Sequence, residues 1–127
     1  LGEIPSGDVV VDIGSGAGFD SIVAGRMVGG AGSVTGVDMT LEMLRKARRN
    51  ARKAGATNVS FRKGMVEKRP LPDGFADVVI NLVPDKVTAV KESLRVLKPG
   101  GRLYLSDIIV HQAVPDEAKQ VIDLWTD

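Results

Sequence analysis

The feature that most constrains this chain is a glycine-rich loop that directly follows a run of mainly β-branched residues. Residues 9–13 (VVVDI) predict a buried strand. Gly14, Gly16 and Gly18 then occupy alternate positions, where glycine permits a sharp turn and leaves the backbone open to a ligand. The third glycine lies one position too early for the dinucleotide fingerprint, so this loop disfavours NAD and FAD.

The rest of the chain alternates apolar runs with helical patterns, which is typical of a parallel sheet covered on both faces. We therefore expect a doubly wound, mainly parallel α/β fold. Thr40 is the predicted N-cap of the second helix, and Gly55 is predicted to end it. After the first strand, the predicted strands are 34–37, 59–62, 76–80 and 102–107, and the predicted helices are 19–27, 41–54, 85–96 and 116–125.

The length of 127 residues suits one domain, so residues 1–127 are interpreted as one unit. The chain starts at Leu1 without an initiator methionine and stops at Asp127 within a predicted helix, so we expect a fragment of something longer. The net charge of +1 disfavours nucleic acid and anionic membranes as partners. No apolar run is long enough for a membrane span, and the absence of cysteine favours the cytoplasm.

Asp38 follows the second predicted strand, at the end of the sheet where the glycine loop should also lie. A carboxylate at this position can accept hydrogen bonds from both hydroxyls of a ribose. Met39 comes next, and its side chain could cover an adenine face or simply belong to the core. The loop and Asp38 together predict a site for an adenosine-containing ligand.

Three segments resemble successive motifs of class I methyltransferases that use S-adenosylmethionine: 12–18 (DIGSGAG), 36–40 (GVDMT) and 97–101 (LKPGG). Four segments look more narrowly like arsenite methyltransferases: 14–20 (GSGAGFD), 37–40 (VDMT), 81–86 (NLVPDK) and 102–107 (RLYLSD). Ubiquinone/menaquinone-type methyltransferases are looser relatives. The resemblance implies a Rossmann-like core with S-adenosylmethionine as its cofactor. The family usually adds antiparallel last strands, and we expect these 127 residues to lack them.

The resemblance also implies which residues contact the cofactor. Asp12, Gly14 and Gly16 would flank its methionine part, and Asp38 would bind the ribose. Relatives often carry an acid after the glycine that ends the third strand, where this chain has Met65. The adenine would then depend on backbone groups of Met65 and Val66, with Glu67 as a further candidate contact. The complete predicted set is Asp12, Gly14, Ser15, Gly16, Gly18, Asp38, Met39, Gly64, Met65 and Val66.

The junction between the fourth strand and the next helix departs from the arsenite enzymes. Relatives carry extra residues here, beside the transferable methyl group, and these would include one arsenic-binding thiol. Either the connection is truly deleted, or residues are missing from the sequence. A strand that leads straight into a helix leaves little chain for the usual connection, which favours missing residues. We therefore predict a backbone interruption among Val79, Ile80 and Asn81.

Methyl transfer is an in-line displacement that depends on alignment more than on a strong acid or base. We therefore assign no catalytic residue, and no metal site is predicted. Thiolates are the natural ligands of trivalent arsenic, and the chain has no cysteine. Three interpretations stay open: a small-molecule methyltransferase similar to the arsenite enzymes, a methyltransferase of a quinone precursor or RNA, and a non-catalytic cofactor-binding domain.

Three further features suggest a binding or catalytic role, and the first two have a simpler explanation. The basic residues of the second helix are interpreted as a solvated outer face rather than an RNA-binding surface. His111 is expected to be an incidental loop residue rather than a general base. The last predicted helix could pack on further protein or pair two copies of the chain through its apolar positions, which are Ala118, Val121, Ile122 and Trp125.

Overall fold

A computed structural model describes residues 3–64, 71–81 and 87–105, together with the backbone of 109–110. The strands are β1 (Val9–Ile13), β2 (Ser33–Asp38), β3 (Val59–Lys63), β4 (Ala76–Asn81), β5 (Leu97–Leu105) and β6 (Ile109–Val110). The helices are α1 (Phe19–Val28), α2 (Leu41–Ala54) and α3 (Val87–Val96). None of these helices is long and apolar enough to cross a membrane.

The strands form one sheet in the order β3-β2-β1-β4-β5-β6. The first five run parallel, with β1 between β2 and β4. Strand order therefore reverses beside β1, which is where ligands bind in open α/β sheets. The predicted Rossmann-like fold is confirmed. The expectation that the chain lacks antiparallel last strands is corrected in one respect. The short strand β6 pairs antiparallel with β5, with Ile109 opposite Tyr104.

The centre of the sheet is buried on both faces. Val11 and Val79 pack into one apolar cluster, while Val10 and Val78 pack into another. All four side chains are fully buried. Successive residues of a strand point to opposite faces, so a strand covered on both sides needs apolar residues at consecutive positions. This explains why the runs in β1 and β4 are continuous rather than alternating.

Helix α2 has the predicted bounds and ends at Gly55, whose φ of 67° lies in the left-handed region. Its buried residues are Leu44, Ala47 and Ala51, spaced to face β3. Thr40 precedes the helix, and its carbonyl accepts a hydrogen bond from the Leu44 N–H at 3.1 Å. Thr40 is therefore the N-cap residue, as predicted, although its side chain makes no capping hydrogen bond.

Strand β5 begins earlier than predicted. Leu97 is opposite Ala76, but the next pair joins Arg102 to Val78. Residues 98–101 therefore bulge out of the ladder, and Gly100 within them has a φ of 82°. The segment 97–101, which resembles a methyltransferase motif, thus begins the strand and contains its irregularity.

The backbone is continuous at the end of β4. Ile80 pairs with Asp12 and Asn81 pairs with Ile13 in one unbroken register. The predicted interruption among Val79, Ile80 and Asn81 is not present, and the expectation that residues are missing from the sequence at this junction stays a prediction. The following residues 82–86, His111 and the last predicted helix lie outside the described residues.

Candidate cofactor-binding site

The glycine loop connects β1 to α1 through backbone conformations that other residues rarely adopt. Gly14, Gly16 and Gly18 have φ values of 73°, 55° and 89°. At Gly18 a Cβ atom would also lie 2.7 Å from the Phe61 ring. At Gly16 a Cβ atom would have no neighbouring heavy atom within 4 Å. The first and last glycines shape the turn, and the middle one leaves open space above the backbone.

The loop is fixed to β2 by hydrogen bonds. The N–H groups of Gly14 and Ser15 both donate to the Val37 carbonyl, at 2.8 and 3.0 Å. Gly36 permits this close approach, since a Cβ there would lie 2.9 Å from the Ser15 Cβ. The Ser15 hydroxyl oxygen is buried and has no hydrogen-bond partner among the described residues. Asn50 adds a bond from α2, donating to the Ala17 carbonyl at 2.9 Å.

Asp38 joins the carboxyl end of β2 to the loop. Its Oδ2 accepts the Gly16 N–H at 2.9 Å. Its Oδ1 accepts the Thr40 N–H at 3.0 Å and the Thr40 hydroxyl at 2.9 Å. The side chain is half-buried. The structure thus brings together the two features that predicted an adenosine site, and it orients the carboxylate with uncharged donors.

Asp12 lies near the end of β1 and is only 3% exposed. Burial raises the pKa of its carboxyl to about 7, against the opposing effect of the hydrogen bond from Ser21. The negative charges of Asp20 and Asp38 raise this pKa further. The Ser21 hydroxyl donates to Asp12 Oδ2 at 2.7 Å. Sequence reasoning missed Ser21, whose only signal was a polar residue on the buried face of α1.

The predicted adenine-side residues are partly described. Met39 is 55% exposed beside Asp38, so its alternative interpretation as a core residue was wrong. Phe19 and Leu41 are also exposed and follow the loop and β2, respectively. The Gly64 N–H donates to the Asp38 carbonyl at 3.1 Å, which places Gly64 at the same end of the sheet. Met65, Val66 and Glu67 lie outside the described residues.

The basic residues of α2 are exposed, as a solvated outer face requires; they are Arg45, Lys46, Arg48, Arg49, Arg52 and Lys53. The Arg48 guanidinium donates to the Phe61 carbonyl at 2.9 Å, and the Lys46 ammonium lies 3.8 Å from the Glu42 carboxylate. A cavity of about 540 Å³ between α2 and β3 is lined partly by Arg48 and Arg52. No residue of the glycine loop lines this cavity, so it is separate from the candidate site.

These residues fit an adenosine-containing cofactor. The middle glycine leaves space against bare peptide groups, and the Asp38 carboxylate lies beside it at the switch point. The family model described as "Methyltransferase domain" matches residues 4–126. The chain belongs to the methyltransferase domain family.

Similar proteins support the narrower resemblance. The chain is 44% identical over 125 residues to an arsenite methyltransferase of Halobacterium salinarum, which covers 94% of the chain and 32% of that protein. It is 38% identical over 111 residues to a ubiquinone/menaquinone biosynthesis C-methyltransferase of Pseudomonas paraeruginosa, covering 83% of the chain and 43% of that protein. The predicted resemblance, with the arsenite enzymes nearer and the quinone enzymes more distant, is confirmed.

A solved structure agrees with this grouping. The crystal structure of an arsenic(III) S-adenosylmethionine methyltransferase from Chlamydomonas reinhardtii matches with a TM-score of 0.71 and 37% sequence identity. The match covers 83% of this chain and 40% of that one. The chain spans only part of its relatives, and it covers 32% of the length of the Halobacterium arsenite methyltransferase.

Proposed function

We propose that this chain forms the cofactor-binding part of an S-adenosylmethionine-dependent methyltransferase that acts on a small molecule. The observation that carries the proposal is the hydrogen bond between the glycine loop and Asp38 at the switch point of the sheet. Membership of the methyltransferase domain family supports the same reaction class. The interpretation as a quinone-precursor or RNA methyltransferase, or as a non-catalytic domain, is not favoured by the nearer relatives.

The chain's own residues would bind and orient the cofactor. Backbone groups of Gly14 and Gly16, beside Asp12, suit the methionine end, and Asp38 suits the ribose hydroxyls. Met39 is exposed next to Asp38, which supports its proposed contact with the face of the adenine ring. S-adenosylmethionine, when bound, supplies an electrophilic methyl group on a positively charged sulfur. Fixing both ends of such a ligand provides the alignment that an in-line displacement requires.

We propose trivalent arsenic as the first candidate for the methyl acceptor. The arsenite methyltransferase of Halobacterium salinarum and the arsenic(III) enzyme of Chlamydomonas reinhardtii support this choice. Thiolates are the preferred ligands of a soft centre such as trivalent arsenic. This chain offers carboxylates, one histidine and thioethers but no cysteine. We therefore place the arsenic-binding thiols in parts of the intact protein other than these 127 residues.

Two measurements test this proposal. Calorimetry should show that the 127-residue chain binds S-adenosylhomocysteine, the demethylated product, but not NAD. In a methylation assay with arsenite and a thiol reductant, this chain should be inactive, while the product of the full gene should be active and should lose activity in cysteine-to-serine variants. A full-length protein without cysteine, or one whose activity survives their loss, would contradict arsenite as the substrate. The same assay with a quinone precursor and with RNA then identifies the class of acceptor.

The cellular location and the oligomeric state of the protein stay predictions. One is the cytoplasmic location expected from the sequence. The other is a homodimer through the last predicted helix, which lies outside the described residues.

A further inference from the structure

Thr40 occupies the N-cap position of α2 without performing the usual function of an N-cap side chain. Its backbone is extended, with φ −99° and ψ 128°, and its carbonyl accepts the first hydrogen bond of the helix. An N-cap hydroxyl normally accepts a hydrogen bond from an N–H in the first helical turn. Here the hydroxyl donates to Asp38 Oδ1 at 2.9 Å, and no side-chain capping bond is formed.

The hydrogen bonds on Asp38 divide between two segments of the chain. The glycine loop holds Oδ2 through Gly16, and Thr40 holds Oδ1 through both its N–H and its hydroxyl. A carboxylate with a donor on each oxygen cannot rotate freely about its Cβ–Cγ bond. A group held in its binding geometry loses less conformational entropy when a ligand arrives.

We propose that Thr40 is a positioning residue, whose hydroxyl orients the Asp38 carboxylate for recognition of the cofactor ribose. The hydroxyl is the side-chain donor among these contacts, so a substitution can remove it without altering the two backbone donors. The inference rests on the proposed function, because it requires an adenosine-containing ligand at Asp38.

The experiment compares Thr40→Val, Thr40→Ser and the control Thr57→Val, which changes an exposed threonine before β3. Valine keeps the shape of threonine and suits the extended backbone, but it lacks the donor. Calorimetry with S-adenosylhomocysteine should show affinity weakened about three- to tenfold in Thr40→Val, the range for one net hydrogen bond. Thr40→Ser should restore most of the affinity, and Thr57→Val should match the wild type.

Two further readouts separate positioning from a structural role. In an Asp38→Ala background, Thr40→Val should have no additional effect on affinity, because the hydroxyl then has no carboxylate to orient. In the Asp38→Ala background, Thr40→Val should also leave the Tm unchanged, because the hydroxyl makes no capping bond whose loss would lower it. A Tm lowered in that background, or an affinity loss that persists without Asp38 or is not rescued by serine, would overturn the proposal in favour of helix capping.

The outcomes also separate this proposal from the proposed function. Wild-type protein that does not bind S-adenosylhomocysteine would overturn both. Binding that Asp38→Ala weakens and Thr40→Val leaves unchanged would overturn the role of Thr40 alone.

Discussion

Two aspartates at opposite ends of the sheet connect neighbouring segments by similar hydrogen bonds but differ in their partners. Asp77, near the start of β4, accepts the Val9 N–H at 2.9 Å on one oxygen and the Lys98 ammonium at 3.2 Å on the other. Asp38, at the end of β2, accepts uncharged N–H and O–H groups of Gly16 and Thr40. One carboxylate is neutralised by a cation, while the other is oriented by neutral donors.

The two environments separate residues that stabilise the sheet from residues that we propose bind a ligand. At the amino end, the hydrogen bond from the Val9 N–H makes the largest contribution to a lowered pKa of Asp77; burial opposes it and the Lys98 ammonium adds to it, so the charged form is favoured. At the carboxyl end, the half-buried Asp38 side chain is held by uncharged donors of Gly16 and Thr40. Asp12, at the same end, is buried at the expense of its ionisation. The amino end therefore stabilises the sheet, whereas the carboxyl end holds the residues that we propose bind the cofactor.

The largest expected effect is on stability at Asp12. Its folded-state pKa of about 7 exceeds the ordinary 3.8, so between these values the unfolded chain releases a proton that the folded chain keeps. Wild-type stability should therefore fall as the pH rises from about 4 to about 7 and stay low above that. Asp12→Asn avoids this penalty, and its free energy of unfolding should exceed that of the wild type by roughly 2–4 kcal/mol at about pH 8.

Urea unfolding at about pH 4, 6 and 8 measures this difference, which should be smallest at the lowest pH. Glu42→Gln is the control, because it also removes a negative charge but at an exposed side chain. If the free energies of unfolding of Asp12→Asn and the wild type change in parallel with pH, burial of the Asp12 carboxylate does not destabilise the folded chain.

The next effect is on cofactor affinity. Asp38→Ala should weaken binding of S-adenosylhomocysteine by about 1.5–3 kcal/mol, the range for a hydrogen bond to a charged group. Asp77→Ala is the matched control, and its folded form should bind with wild-type affinity because Asp77 lies at the other end of the sheet. Calorimetry measures both. An equal loss of affinity in the two variants would show that the effect is not specific to the carboxyl end of the sheet. Unchanged affinity in Asp38→Ala would remove Asp38 from the site.

Local patterns predicted the parts of the molecule in which neighbouring residues determine the structure. The bounds of α2 follow from its apolar spacing and from Gly55, and the glycine loop follows from its alternate spacing. Asp38 was placed correctly at the end of β2, because the carboxyl ends of parallel strands share one edge.

Most of the features that sequence reasoning missed depend on contacts between separate elements, and one is local. The local one is the Thr40 hydroxyl, which donates to Asp38 two residues earlier instead of capping the helix. Ser21 reaches Asp12 only because α1 packs against β1. The bulge in β5 is a shift in register against β4. It is defined by the pairing of two strands, so the sequence of residues 98–101 alone does not reveal it.

The smallest expected effect tests the amino end itself. Asp77→Ala removes the acceptor of the Val9 N–H and the partner of Lys98, and it should lower the free energy of unfolding by about 1 kcal/mol near neutral pH. The pair is partly exposed, so its ionic contribution is modest. The folded-state pKa of Asp77 is lowered, so its stabilisation is present above the ordinary pKa and is lost as the pH falls through the lower folded value.

Urea unfolding of Asp77→Ala and wild type should therefore give curves that converge at strongly acidic pH. Asp77→Asn separates the two contributions, since its amide oxygen can still accept the Val9 N–H while the charge that attracts Lys98 is gone. We expect it to retain most of the wild-type stability, because a partly exposed ion pair contributes less than an acceptor for a backbone N–H. If Asp77→Asn loses as much stability as Asp77→Ala, the ion pair with Lys98 holds the amino end, and the comparison between the two aspartates becomes one of charge alone.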